Sequence, residues 1–245
     1  MQLKQIMRLS LLTCALFIQT PYVSGQTNNS QYSLGTEYEK FLDWNKKAGI
    51  SGQYFDEVTD ETIRRLNITV DEYWHRVLVE RKVYLLGEIN DATAPYISSL
   101  LLYLDRKSDK IITLHIDSNG GNAYSGLGIY DAIQFLNSPI YTECDSLAAS
   151  MAAVIFSCGQ HGHRSVTKNA RIMIHAPYAP NPKEKAIHDI QLLEKEIQLL
   201  EKEIYKILSE NTGKDIQTIT QDCEKTLWLT GEDAIRYGIA DVLHE

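Results

Sequence analysis

The sequence predicts an α/β domain of layered strands and helices, and three observations carry that reading. From Val83 to Phe135, apolar runs of strand length alternate with segments of helical period. Two later β-rich runs, Ile140 to Cys144 and Arg171 to Ile174, continue the alternation. A single long helix, Lys185 to Leu208, carries a tandem heptad, Gln191-Leu-Leu-Glu-Lys-Glu-Ile197 followed by Gln198-Leu-Leu-Glu-Lys-Glu-Ile204. The 245 residues suggest one domain with extensions, and 44% hydrophobic with 23% charged residues is ordinary for a chain with a real core. The net charge of −8 and the lack of any basic stripe exclude a nucleic-acid partner.

Residues 1 to 25 read as a secretory signal peptide. Lys4 and Arg8 precede the apolar run Leu9 to Ile18, and Val23-Ser24-Gly25 supplies small residues before Gln26. The run is too short to span a bilayer, and no other stretch is long enough. On this reading the protein is exported or periplasmic. The cysteines favour the alternative, a cytoplasmic protein. Removing the signal leaves Cys144, Cys158 and Cys223, an odd number without Cys-x-x-Cys spacing. That excludes a disulfide framework and a metal cluster and predicts buried free thiols.

Residues 26 to 80 form an N-terminal extension, expected to be partly disordered. Residues 26 to about 36 are polar. Tyr38, Phe41, Leu42 and Trp44 can share one side of a short helix, and Asp60 to Val79 is a second, charge-rich helical candidate. The core begins with the strand Val83 to Leu86 and the helix Ala92 to Leu104. The strand Ile111 to Ile116 follows, then a glycine turn and the helix Ala123 to Phe135. In the long helix Ile190, Leu193, Ile197, Leu200, Ile204 and Ile207 alternate spacings of three and four, a seam that wants a partner helix or its own domain. Asn211-Thr-Gly213 ends that helix, and Thr230 with Asp233 forms a capping box for the last one.

Three strand-like runs end in residues that can do chemistry. Ile111 to Ile116 leads to Ser118-Asn119-Gly120-Gly121, and Arg171 to Ile174 leads to His175. Between them Ala148-Ala149-Ser150-Met151 presents a serine where the helix Met151 to Cys158 starts. Taken singly, a serine at a helix start is an N-cap, a histidine after a strand is structural, and Gly-Gly is a turn. Together they supply a nucleophile, a base and an oxyanion donor, because N–H groups at a helix start are unpaired and favour negative charge.

The strings Glu80-Arg-Lys-Val-Tyr-Leu-Leu-Gly87, Ser118 to Gly121, Gly128-Ile-Tyr-Asp-Ala-Ile-Gln-Phe135, Ala148 to Met151, Arg171 to Pro177 and Ala234-Ile-Arg-Tyr-Gly238 together resemble the Clp protease proteolytic subunit family, ClpP. The likeness runs from about Arg81 to Leu243, within a protease domain of residues 81 to 245. It implies the ClpP/crotonase fold, stacked β-α units with a protruding handle helix, assembling into homo-oligomeric, stacked rings. It implies Ser150 as nucleophile, His175 as general base, and the N–H groups of Gly121 and Met151 as the oxyanion hole. No metal or organic cofactor is called for. A polypeptide is the implied substrate, and an ATP-dependent unfoldase is a partner that the sequence supports only weakly, because Thr113 and His115 replace the aromatics of the family's docking surface.

The departures mark a divergent paralogue. The family's third triad residue is an aspartate in Glu-Arg-Asp-x-Phe-Leu. Here the string reads Glu224-Lys225-Thr226-Leu227-Trp228-Leu229, so Thr226 holds that position. Asp222, one helical turn earlier, is the candidate substitute. Three function classes are thus in view. The first is a Clp-type serine endopeptidase, and the second a weakly active or non-catalytic ring subunit. The third, a crotonase-type acyl-CoA enzyme, shares the fold but is opposed by the Ala-Ala-Ser-Met and Ile-His-Ala-Pro strings.

Overall fold

The computed structural model describes residues 36–47, 52–178 and 187–244. The expected export signal, residues 1 to 25, and the polar segment to residue 35 lie outside the described residues. Among the described residues no helix is long and apolar enough to cross a membrane.

Among the described residues three helices precede the sheet: α1 (Thr36–Lys47), α2 (Gly52–Leu66) and α3 (Val70–Leu78). The second helical candidate of the extension is therefore two helices. Asn67, at φ 52°, breaks the chain between them, and the Thr69 hydroxyl caps α3 by accepting from the Glu72 N–H at 3.2 Å. The described part of the extension is built into the core. Phe41, Tyr73 and Val77 are fully buried. Phe41 meets Trp74 and Tyr103 at ring-centroid distances of 5.5 and 4.9 Å, and Phe55 meets Tyr96 at 4.4 Å. Each such aromatic buries enough area to hold its helix against the chain entropy lost.

The sheet follows from β1 (Lys82–Ile89), β2 (Ile112–Gly121), β3 (Ile140–Cys144), β4 (Leu147–Ala149), β5 (Arg164–Thr167), β6 (Arg171–Ile174), β7 (Leu227–Thr230) and β8 (Val242–His244). Their order is β7-β6-β4-β2-β3-β5-β8, with β1 also on β2, and among the described residues only the β6–β7 pair is antiparallel. Between strands run α4 (Thr93–Lys107), α5 (Ala123–Phe135), α6 (Met151–Ser157), α7 (Ile187–Thr212), α8 (Ile216–Glu224) and α9 (Gly231–Tyr237). Parallel strands need such crossovers, and the helices cover the apolar faces. This is the mixed α/β architecture expected of the ClpP fold.

Strand β2 is longer than its apolar run. Its first half pairs with β3, its Ser118 pairs with Ala148 of β4, and β1 follows it to its end, where Ile89 pairs with Gly121. The Gly-Gly segment is thus the end of a strand and not the turn its composition suggested. The β1 backbone supplies the pairing that holds it in the sheet.

The long helix runs Ile187–Thr212 and ends at Gly213, whose φ of 74° and N–H bond to the Ser209 carbonyl (2.9 Å) close it. Its C-terminal part packs on its own domain through the buried Ile204, Tyr205, Ile207 and Leu208. Arg164, almost fully buried, fixes that end. Its guanidinium donates to the Asn211 carbonyl at 2.7 Å and pairs with Asp241 at 2.6 Å. At α9 the capping box is present, with Thr230 and Asp233 each serving the other's backbone N–H. Cys144, Cys158 and Cys223 are free thiols, two of them buried.

Candidate active site

Ser150 stands between β4 and α6 with φ 57° and ψ −127°. A non-glycine residue there is strained, and the surroundings must over-determine it. The Ser150 N–H donates to the Met173 carbonyl at 2.8 Å, and the Ser150 carbonyl accepts from the N–H groups of Ala153 (3.0 Å) and Val154 (3.3 Å). The serine's side chain does not cap the helix. It is turned instead to the end of the neighbouring strand β6, where His175 Nε2 lies 2.8 Å from Ser150 Oγ. Parallel pairing of Ala149 with Met173 is what brings these two strand ends level.

Gly120 packs directly on the serine turn. A Cβ at Gly120 would lie 2.5 Å from the Ala149 carbonyl oxygen and 2.7 Å from Ser150 Cβ, and its φ is 84°. A Cβ at Gly121 would lie 2.1 Å from the Ile89 carbonyl oxygen. Both positions therefore require glycine, and they bring the Gly121 backbone to the edge of the cleft that holds Ser150. Met151 opens α6, so its N–H has no intrahelical partner.

Among the described residues the His175 ring has one hydrogen bond, to Ser150. Burial holds its pKa below the ordinary histidine value. Among the described residues no carboxylate acts in the opposite direction, which sets this ring apart from the triad pattern of serine, histidine and aspartate. Thr226 follows α8, with φ 54°. Its N–H donates to the Cys223 carbonyl at 3.2 Å, and the same carbonyl accepts from the Ala176 N–H at 3.0 Å. The backbone thus ties Thr226 and the residue after His175 to one atom.

Asp222 does not take the place of the missing carboxylate. Its Oδ2 accepts from the Tyr237 hydroxyl at 2.8 Å, and it gives no bond to His175. That bond ties Asp222, the candidate substitute, to α9, and no bond ties it to His175.

A cleft of about 820 Å³ opens beside Ser150 and His175. Its walls are α6, the start of α5, and one face of α7 bearing Leu193, Ile197 and Leu200. Of the heptad seam, Leu193, Ile197 and Leu200 line this cleft, Ile204 and Ile207 are buried in the domain, and the Ile190 side chain lies outside the described residues. The sequence alone missed Tyr124 and Glu196, which join across the cleft mouth with the phenol donating to Glu196 Oε1 at 2.7 Å. Their separation of 72 positions leaves no local signature.

A strained serine on a histidine ring, at the ends of parallel strands, defines the serine-hydrolase class of site. The Clp protease family model matches residues 65–245. Curated relatives agree. One is the ATP-dependent Clp protease proteolytic subunit 1 of Salinibacter ruber, 41% identical over 171 residues, covering 69% of this chain and 72% of that protein. The ATP-dependent Clp protease proteolytic subunit of Bacteroides thetaiotaomicron is 35% identical over 207 residues, covering 80% and 93%. That of Porphyromonas gingivalis is 32% identical over 220 residues, covering 85% and 97%. The chain belongs to the Clp protease family, a family of serine endopeptidases.

Proposed function

We propose that the chain hydrolyses peptide bonds with Ser150 as nucleophile and His175 as general base. The single observation that carries this is the 2.8 Å approach of Nε2 to Oγ. A neutral ring is needed to accept the serine proton, and burial favours the neutral form. Oγ attacks the peptide carbonyl carbon while its proton passes to Nε2. The developing oxyanion is met by the N–H groups of Gly121 and Met151. The ring then protonates the leaving amine, and water completes the cycle by the same path in reverse.

The substrate is an unfolded polypeptide or peptide, consistent with the names of the relatives. The same likeness supports self-association into stacked rings and, more weakly, an ATP-dependent unfoldase as partner, since Thr113 and His115 alter the docking face. A second reading, a weakly active ring subunit, is favoured by Thr226. Where a serine protease depends on a full triad, loss of the orienting carboxylate costs about 10⁴ in turnover.

The test is hydrolysis of short fluorogenic peptides by the wild type and by Ser150→Ala. The proposal expects hydrolysis that vanishes in the variant. Equal rates in the two proteins remove Ser150 from the mechanism.

A further inference from the structure

We propose that the cleft beside Ser150 selects peptides with a lysine or arginine side chain, its aliphatic stem on Val154, Ile197 and Leu200 and its cation on Glu196. This names the substrate class of the proposed peptidase site and rests on that reading. Glu88 and Glu196 both line the cleft, and its lining includes no lysine or arginine among the described residues. Glu196 stands on the same face of α7 as Leu193, Ile197 and Leu200, at helical spacings of three and four.

The carboxylate is positioned in advance. Tyr124 donates to Oε1 at 2.7 Å, and that bond holds the phenol's pKa above its ordinary value. A carboxylate offers about four acceptor positions, so this bond leaves most of its capacity open. Closing a peptide over the cleft desolvates Glu196, which is costly unless a cation comes with the peptide. A lysine or arginine meets both demands of the wall, since its stem covers apolar surface while its head stays with the charge. An acidic side chain would bring like charges together, and a norleucine side chain would fill the floor without using the carboxylate.

The test uses fluorescently labelled peptides identical except for lysine, norleucine or glutamate at the residue before the scissile bond. Their affinities for Ser150→Ala protein are read by anisotropy, and the same series is repeated on Ser150→Ala/Glu196→Gln. Glutamine keeps an oxygen for Tyr124 and removes the charge. The proposal expects lysine to bind roughly five-fold more tightly than norleucine, the scale of a partly exposed ion pair, and glutamate more weakly than either. The lysine advantage should disappear in Glu196→Gln and shrink with added salt. Equal binding of lysine and norleucine, an advantage that survives Glu196→Gln, or no binding of any peptide overturns it. Binding is separate from chemistry. A lysine preference without wild-type cleavage sinks only the peptidase reading, and cleavage without the preference sinks only this one.

Discussion

His175 and Thr226 are the residues next beyond the last pair of the β6–β7 ladder, His175 following Ile174 and Thr226 preceding Leu227. Ile174 pairs with Leu227 in the antiparallel register, and beyond that pair the Cys223 carbonyl accepts from the N–H groups of both Ala176 (3.0 Å) and Thr226 (3.2 Å). The likeness to the Clp family assigns the orienting aspartate to position 226. In this chain a neutral, β-branched residue occupies that place, with a backbone φ of 54°.

Thr226→Asp is expected to raise kcat on a short fluorogenic peptide, by less than the full ~10⁴ that the aspartate is worth in a complete triad. It should also stabilise the fold. A β-branched residue in the left-handed region is strained by about 1–2 kcal/mol, and aspartate tolerates that region better. A higher melting temperature with unchanged kcat would show that strain, and not charge, is what position 226 decides.

Asp222→Asn is expected to leave kcat unaltered and to cost stability. The carboxylate accepts from the half-buried Tyr237 hydroxyl, and the loss of its charge weakens that bond by about 1 kcal/mol. For a chain of this size that is a fall in Tm of roughly 2–4 °C. A large loss of activity at unchanged Tm would return Asp222 to the site.

The pH profile follows from His175. Burial lowers its folded pKa below the ordinary 6.5, so the neutral ring is favoured in the native state. The stability this contributes is present above the unfolded value and is lost as pH falls through the folded one. Activity needs the same neutral ring, so the acid limb of kcat/KM should lie below pH 6.5. Thr226→Asp should move that limb upward, because a carboxylate stabilises the imidazolium. A wild-type limb at or above 6.5 would require a carboxylate on the ring.

Much of this was legible in the sequence, and the limits have physical causes. Ser150 and His175 were visible because both sit at the ends of apolar runs, and strand ends are where a layered α/β fold exposes chemistry. The Gly120-Gly121 segment read as a turn because glycine is ambiguous. The pairing of β1 with β2 makes it a strand, and that pairing is set by distant residues. The left-handed φ at Thr226 was hidden because threonine is among the least suited residues for it. The heptad seam announced an apolar face and not its partner. Leu193 and Leu200 turned out to line the cleft, while Leu192 and Leu199 are 52% and 62% exposed.

The exposed leucines are therefore the ones to test for assembly. Leu192→Glu with Leu199→Glu should split the proposed ring assembly into smaller species on size exclusion with light scattering, with the domain still folded. Charges at Leu193 and Leu200 should instead disturb peptide hydrolysis. A wild-type monomer would contradict the ring reading.

Reaction with a serine-directed fluorophosphonate tests most directly whether His175 activates Ser150. Mass analysis of the digested protein should find the label on the peptide containing Ser150. Labelling should disappear when His175 is replaced by alanine, because the hydroxyl then loses the base 2.8 Å away. Absence of label on Ser150 in the wild type, or labelling that persists in His175→Ala, would contradict that activation.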